Sequence, residues 1–258
     1  MASVKAQTVE KANEAQRTSA ACMVRTVQGK DKKGYSMSIQ INLESAIHEL
    51  VDEFLREPYR FFTEADAVAR FRQLLETDSM INQTIESKDG FQISTIHEEF
   101  PTFFRFDDAN PFSRLEADSG ASRGHYDIVI VEPDFIRAHT AETVKNRNIS
   151  SIRDTGIQPF KAVIEFKLDD KGWSSGTSKG VLAEIGKLIL SKNEAELRYF
   201  VVLMRYTAST NRRWDEYWPT VLEAASAKVG VNSIFATHWI SKEKAPHVQS
   251  FGDWLSPT

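Results

Sequence analysis

Cysteine is almost missing from this chain: of 258 residues, only Cys22 carries a thiol. A single thiol excludes an internal disulfide framework and any cysteine-rich zinc site. The six histidines are scattered and no His-Glu-x-x-His occurs, so imidazole supplies no zinc pattern either. No Gly-x4-Gly-Lys-Ser/Thr spacing is present, which excludes a P-loop. No apolar run approaches the ~18 to 20 residues that cross a bilayer, and the N-terminus lacks the apolar stretch of a signal peptide. These absences make a cytoplasmic protein without membrane contact the expectation, with Asn148-Ile149-Ser150 read as loop rather than glycosylation acceptor. A strong positive charge is missing as well. The formal net charge is −4, so the chain does not advertise a nucleic-acid binder, although a local basic patch would suffice for one.

What is there is an ordinary globular balance, 41% hydrophobic and 26% charged, in a length that suits one domain. Residues 1–40, rich in Ala, Lys, Gln, Thr and Ser, read as a weakly ordered arm, and residues 41–258 as a single domain. From Leu43, the apolar residues Ile47, Leu50, Val51 and Phe54 recur at helical spacing until Pro58. Thr63, with Asp66 three residues on, opens a second helix in a capping-box pattern. Residues 78–90 read as loop, with room for a short helix. Residues 91–96 alternate as a strand that Pro101 ends, and residues 107–124 read as a polar loop. Two strands follow, at 125–131 and 161–168, separated by a long polar insert at 133–159. A Gly/Ser/Thr-rich loop at 172–180 precedes an amphipathic helix carrying Val181, Ile185 and Leu188. A strand at 198–204, a helix from about 214 to 228 and a final strand at 231–239 complete the chain. The expected order is αα-βββ-α-β-α-β, an α/β fold with a central mixed sheet flanked by helices.

The chemistry concentrates in the two central strands. In the second, Glu165 and Lys167 share one face while Ile164, Phe166 and Leu168 occupy the other. A carboxylate and an ammonium in a near-continuous apolar run are costly unless something compensates them. A divalent cation does so, because Mg²⁺ takes oxygen ligands from one or two carboxylates plus water. If the strands pair antiparallel with Val131 opposite Lys161, Asp127 falls opposite Glu165, and both carboxylates reach one cation. Asp134, after Pro133, is the competing acid, but in that register it lies roughly 23 Å away along the strand at ~3.3 Å per residue. A Glu-x-Lys on a strand is by itself ordinarily a solvated ion pair. Asp127 in register, with a helix and a strand behind it, turns the pattern into a candidate site. Mg²⁺ held there, or Mn²⁺ in its place, would polarise a phosphoryl oxygen and lower the pKa of a bound water. Lys167 would orient that water or counter the charge building on the phosphate.

Asp127, then Glu165-Phe166-Lys167, then a helix and a strand, resembles the PD-(D/E)xK nuclease superfamily with its restriction-endonuclease-like fold. His97-Glu98-Glu99-Phe100-Pro101 is similar to a stretch on the first core strand of some bacterial members, and Gly124-His125-Tyr126-Asp127 to the approach to their metal-binding Asp. Glu184-Ile185-Gly186-Lys187-Leu188 sits where their following helix lies. The resemblance spans roughly residues 43–206. It implies Mg²⁺-dependent cleavage of DNA, with Asp127 and Glu165 as metal ligands and Lys167 as the catalytic lysine, and it leaves room for a homodimer. Many members add a Glu from a helix before the first core strand; Glu64 and Glu49 are both candidates, with Glu99 a further acid of lesser rank. Lys179 and Lys187 are candidates for contact with a phosphate backbone. The alternative reading keeps the fold without the chemistry, as a module that binds nucleic acid or protein.

Overall fold

The computed structural model describes residues 34, 36–107, 110–115, 123–146, 155–169, 175–206, 231–239 and 247–250. The chain divides into two compact units, residues 1–44 and 45–258. Most of the arm expected at 1–40, and the helix expected at 214–228, lie outside the described residues. In the first unit, residues 36–44 are helical.

The second unit begins with helix α1 (residues 45–56), which ends just before Pro58, as the sequence expects. Helix α2 (Glu64–Glu76) opens with the full capping box: the Thr63 hydroxyl receives the Asp66 amide, and the Asp66 carboxylate receives the Thr63 amide. Such caps contribute about 1 kcal/mol. Phe71 and Leu75 of α2 are fully buried, and Phe71 packs against Phe166 with ring centroids 5.2 Å apart.

The strands are β1 (Thr84–Glu86), β2 (Gln92–Ser94), β3 (Ile96–Asp107), β4 (Asn110–Leu115), β5 (Arg123–Val131), β6 (Phe160–Asp169), β7 (Ala195–Tyr206), β8 (Asn232–Trp239) and β9 (His247–Ser250). Between β5 and β6 lie the short helices α3 (Pro133–Ala138) and α4 (Ala141–Asn146), and α5 (Ser175–Leu190) crosses from β6 to β7. β1 and β2 form a separate hairpin; the others form one mixed sheet in the order β4-β3-β5-β6-β7-β8-β9. β5 and β6 are antiparallel, whereas β6, β7 and β8 run parallel. The two faces of β6 meet different helices. Val163 belongs to the cluster built with Val181, Ile185 and Leu188 of α5, while Phe166 meets α2.

Several sequence expectations need correction. Pro101 does not end its strand: it sits within β3 opposite His125, where the described part of β4 has not yet joined the other edge and a register shift follows. Proline is admitted where a strand lacks a neighbour or bulges. The polar stretch 107–124 contains β4, whose edge position tolerates Pro111, and the loop expected at 78–90 contains β1. The insert at 133–159 is not merely polar, because α3 and α4 bury Pro133, Phe135, Ile136 and Val144. The loop at 172–180 is helical from Ser175; burial of the Val181–Ile185–Leu188 stripe outweighs the ~1 kcal/mol that each helical glycine costs. The strand at 231–239 is followed by β9 rather than being last. Finally, Val131 pairs with Phe160, not Lys161, because a bulge falls between Ile130 and Val131.

Candidate active site

The bulge leaves the Asp127 end of the β5–β6 ladder where the sequence places it. The pairs Ile130↔Ala162, Val129↔Val163 and Ile128↔Ile164 run regularly and then stop, and the same count sets Asp127 opposite Glu165. Beyond Ile164 the edge of β6 that faced β5 has amides to satisfy, since an unpaired buried N–H is costly. Carboxylates do this. Asp127 Oδ2 accepts from the Phe166 amide at 2.6 Å, and Glu64 Oε2 accepts from the Leu168 amide at 3.2 Å. Glu64 stands at the first turn of α2, whose packing of Phe71 on Phe166 brings that turn to the strand. Its Oε2 also lies 3.1 Å from Lys167 Nζ. Two acids are therefore fixed two residues apart along the open edge, about 6.6 Å at ~3.3 Å per residue, on the amides that flank Lys167.

Glu165 points to the α5 side and is 1% exposed. Its Oε1 lies 2.7 Å from Lys187 Nζ, and the same ammonium pairs with Glu184 Oε2 and donates to the His125 carbonyl at 2.5 Å. Burial pushes the Glu165 carboxyl well above the usual range; Lys187 pulls it back, and the Glu184 and Asp127 charges push it further up. Burial likewise lifts Asp127 to about 6, against the Phe166 amide and Lys187, with Glu64 and Glu184 adding to the rise. For Lys187 burial acts downward, yet the Glu165 and Glu184 carboxylates carry it above the ordinary lysine range. One ammonium thus faces three carboxyl groups, those of Glu165, Glu184 and Asp127.

Of the residues expected from sequence, Asp127, Glu165, Lys167 and Glu64 come together. Glu49 does not join them; it lies 3.8 Å from Arg70 on α2. Glu99 is exposed and adopts a left-handed backbone (φ 48°), and the β3–β5 count places it opposite Asp127, outside the regular pairs. Strained backbone of this kind clusters at functional sites. Asp134 lies in the first turn of α3, beyond the other end of β5, and pairs with Arg137 at 3.1 Å. Lys187, expected to face a phosphate, is buried beneath Glu165. The Lys179 side chain lies outside the described residues.

The chain matches no family model, no curated protein and no solved structure. The site therefore has to be read from its own geometry.

Among the described residues no group of three or more His, Cys, Asp or Glu forms a ready cation cluster. Glu165 Oε1 and Glu184 Oε2 are nonetheless buried without a well-directed hydrogen bond, despite the ammonium beside them. Buried carboxylate oxygens of this kind would suit Mg²⁺, which usually takes only one or two carboxylates and keeps several waters. Sequence reasoning missed the contribution of Glu184. The available signal was a Glu and a Lys three apart on α5, flanking the apolar stripe of Val181, Ile185 and Leu188, where a solvated pair was the ordinary reading.

Proposed function

We propose that this chain is a Mg²⁺-dependent phosphodiester hydrolase acting on DNA, a nuclease of the restriction-endonuclease-like kind. The observation that carries the reading is the meeting of Asp127 and Glu165 at the point where the β5–β6 ladder opens, with Lys167 two residues beyond. Asp127 and Glu165 would hold the metal, which when bound supplies Lewis-acid activation of water and of the phosphoryl oxygen. The backbone does the positioning: the Phe166 amide fixes one oxygen of Asp127 and leaves the other to a ligand. Glu64 holds the partly exposed Lys167 ammonium at 3.1 Å, where it can donate a hydrogen bond to the attacking water or to a phosphate oxygen.

The test is incubation of plasmid, linear duplex and single-stranded DNA with Mg²⁺ or Mn²⁺, for wild type and the Asp127→Ala/Glu165→Ala double variant. Cleavage in wild type that chelation and the double variant both abolish supports the reading. Equal cleavage by both proteins would sink it. One observation favours a second reading, a binding module without hydrolysis: Lys187 already supplies Glu165 with a cation. That reading expects DNA or protein binding unchanged by chelation, with no cleavage.

A further inference from the structure

We propose that Lys187 is a positioning residue that sets the width of the opening between β5 and β6 and so the disposition of Asp127 and Glu165 toward the metal; this rests on the metal-dependent reading above. The contacts span the opening. From α5, the ammonium reaches the His125 carbonyl on β5, two residues before Asp127, and Glu165 Oε1 on β6. The last regular pair, Ile128↔Ile164, lies just inside. Past that pair no ladder pair joins the two strands among the described residues. Two ties replace it: Asp127 to the Phe166 amide, and Lys187 to both strands at once.

An ammonium has three N–H donors and no more. Here three oxygens face it: the His125 carbonyl, Glu165 Oε1 and Glu184 Oε2. Nothing remains with which to contact a phosphate, and at 6% exposure the residue does not meet solvent as a surface lysine does. Stability alone does not account for it, since apolar side chains of similar volume often serve a fold as well as a buried ion pair does. Its position accounts for it better. Ion-paired through Oε1 at 2.7 Å, the Glu165 carboxylate is held at the opening. Groups that orient metal-binding carboxylates in this way typically contribute 10- to 100-fold in metal affinity. Glu184 acts one step further out, steering the ammonium.

The experiment is Mn²⁺ binding at pH 7.5, read from the electron paramagnetic resonance signal of unbound Mn²⁺, on the full chain and on Lys187→Met and Lys187→Arg, with near-ultraviolet circular dichroism to verify folding. Lys187→Met should bind Mn²⁺ about 10- to 100-fold more weakly, and Lys187→Arg, which keeps a cation across the opening, should recover most of that loss. A folded Lys187→Met that binds within about threefold of wild type overturns the proposal while leaving the metal site standing. Wild type that binds no Mn²⁺ overturns both. Because Lys187→Met removes a buried charge and risks misfolding, a second measurement uses wild type alone: the ¹H–¹⁵N signal of the Lys187 ammonium, assigned by its loss in Lys187→Arg. Mg²⁺ should shift this signal while it stays protected from solvent exchange. A signal that saturating Mg²⁺ leaves unmoved, or that loses protection, overturns the proposal.

Discussion

Two buried glutamates in this domain each face a cation, and they respond in opposite ways. Glu53 on α1 meets Arg70 on α2 through both oxygens, at 2.9 Å from Nε and 2.5 Å from Nη2, with Arg60 3.6 Å away. The Arg70 hydrogen bonds hold its carboxyl below the usual range, against burial and with the charges of Arg70, Arg60 and Arg56 assisting. Glu165 meets a single ammonium that it shares with Glu184, with Asp127 adding negative charge, and its carboxyl is driven up. A planar guanidinium fork satisfies a carboxylate completely, whereas one ammonium cannot satisfy three acids. The first arrangement closes on itself and ties two helices together. The second is short of positive charge, and that shortage suits a divalent ion.

Substitutions sharpen the contrast. Glu165→Gln should lower Mg²⁺-dependent DNA cleavage by roughly a thousandfold, about 4 kcal/mol of barrier, while Glu53→Gln should leave it within twofold; single-turnover assays at equal folded protein decide. Lys187→Met should destabilise the metal-free domain by about 3–5 kcal/mol at pH 8, because it strands a buried carboxylate. The loss should shrink as pH falls toward 5, because burial raises the Glu165 carboxyl and favours its protonated form. Urea midpoints at the two pH values test this, and an equal loss at both would contradict it. Arg70→Met should cost less, about 1–3 kcal/mol, because Arg60 remains beside Glu53.

The pH dependence separates the two acids by sign. Glu53 has a lowered folded pKa, so its contribution is present above the unfolded value near 4.5 and fades as pH falls through its folded value. Glu165 has a raised folded pKa, so stability is full below about 4.5 and is lost as pH rises. Glu53→Gln should therefore flatten the acid limb of the stability curve, and Glu165→Gln should lift the metal-free curve at pH 8; denaturation from pH 3 to 8 reads both. Smallest is the effect of Lys167→Met on stability, under about 1 kcal/mol for a partly exposed pair, although the same variant should lose most of its cleavage.

Much of the candidate site was legible in the sequence, because strand alternation fixes which residues of β6 share a face and an antiparallel count sets Asp127 opposite Glu165. The expected pairing of Val131 with Lys161 fails by one residue, yet the bulge that causes the error falls between Ile130 and Val131 and leaves the inner pairs in place. The choice between Glu64 and Glu49 was not legible. Both lie on helical stretches, and only the packing of Phe71 on Phe166 brings the first turn of α2 to the Leu168 amide. β4 and the start of α5 were missed because Pro111, Gly176 and Gly180 signal loops locally, while edge position and core burial override them.

The central strand of the site carries a consequence for how the chain tolerates change. β6 is held by antiparallel pairs on one side and by parallel pairs from Phe160↔Ala195 to Asp169↔Met204 on the other. Inserting or deleting one residue between Ala162 and Ile164 would break register with a neighbour or exchange the strand's faces, turning Glu165 toward α2 and Phe166 toward Lys187. Variation by length is therefore closed inside this strand. The chemistry of the site can diversify only residue for residue, by substitution.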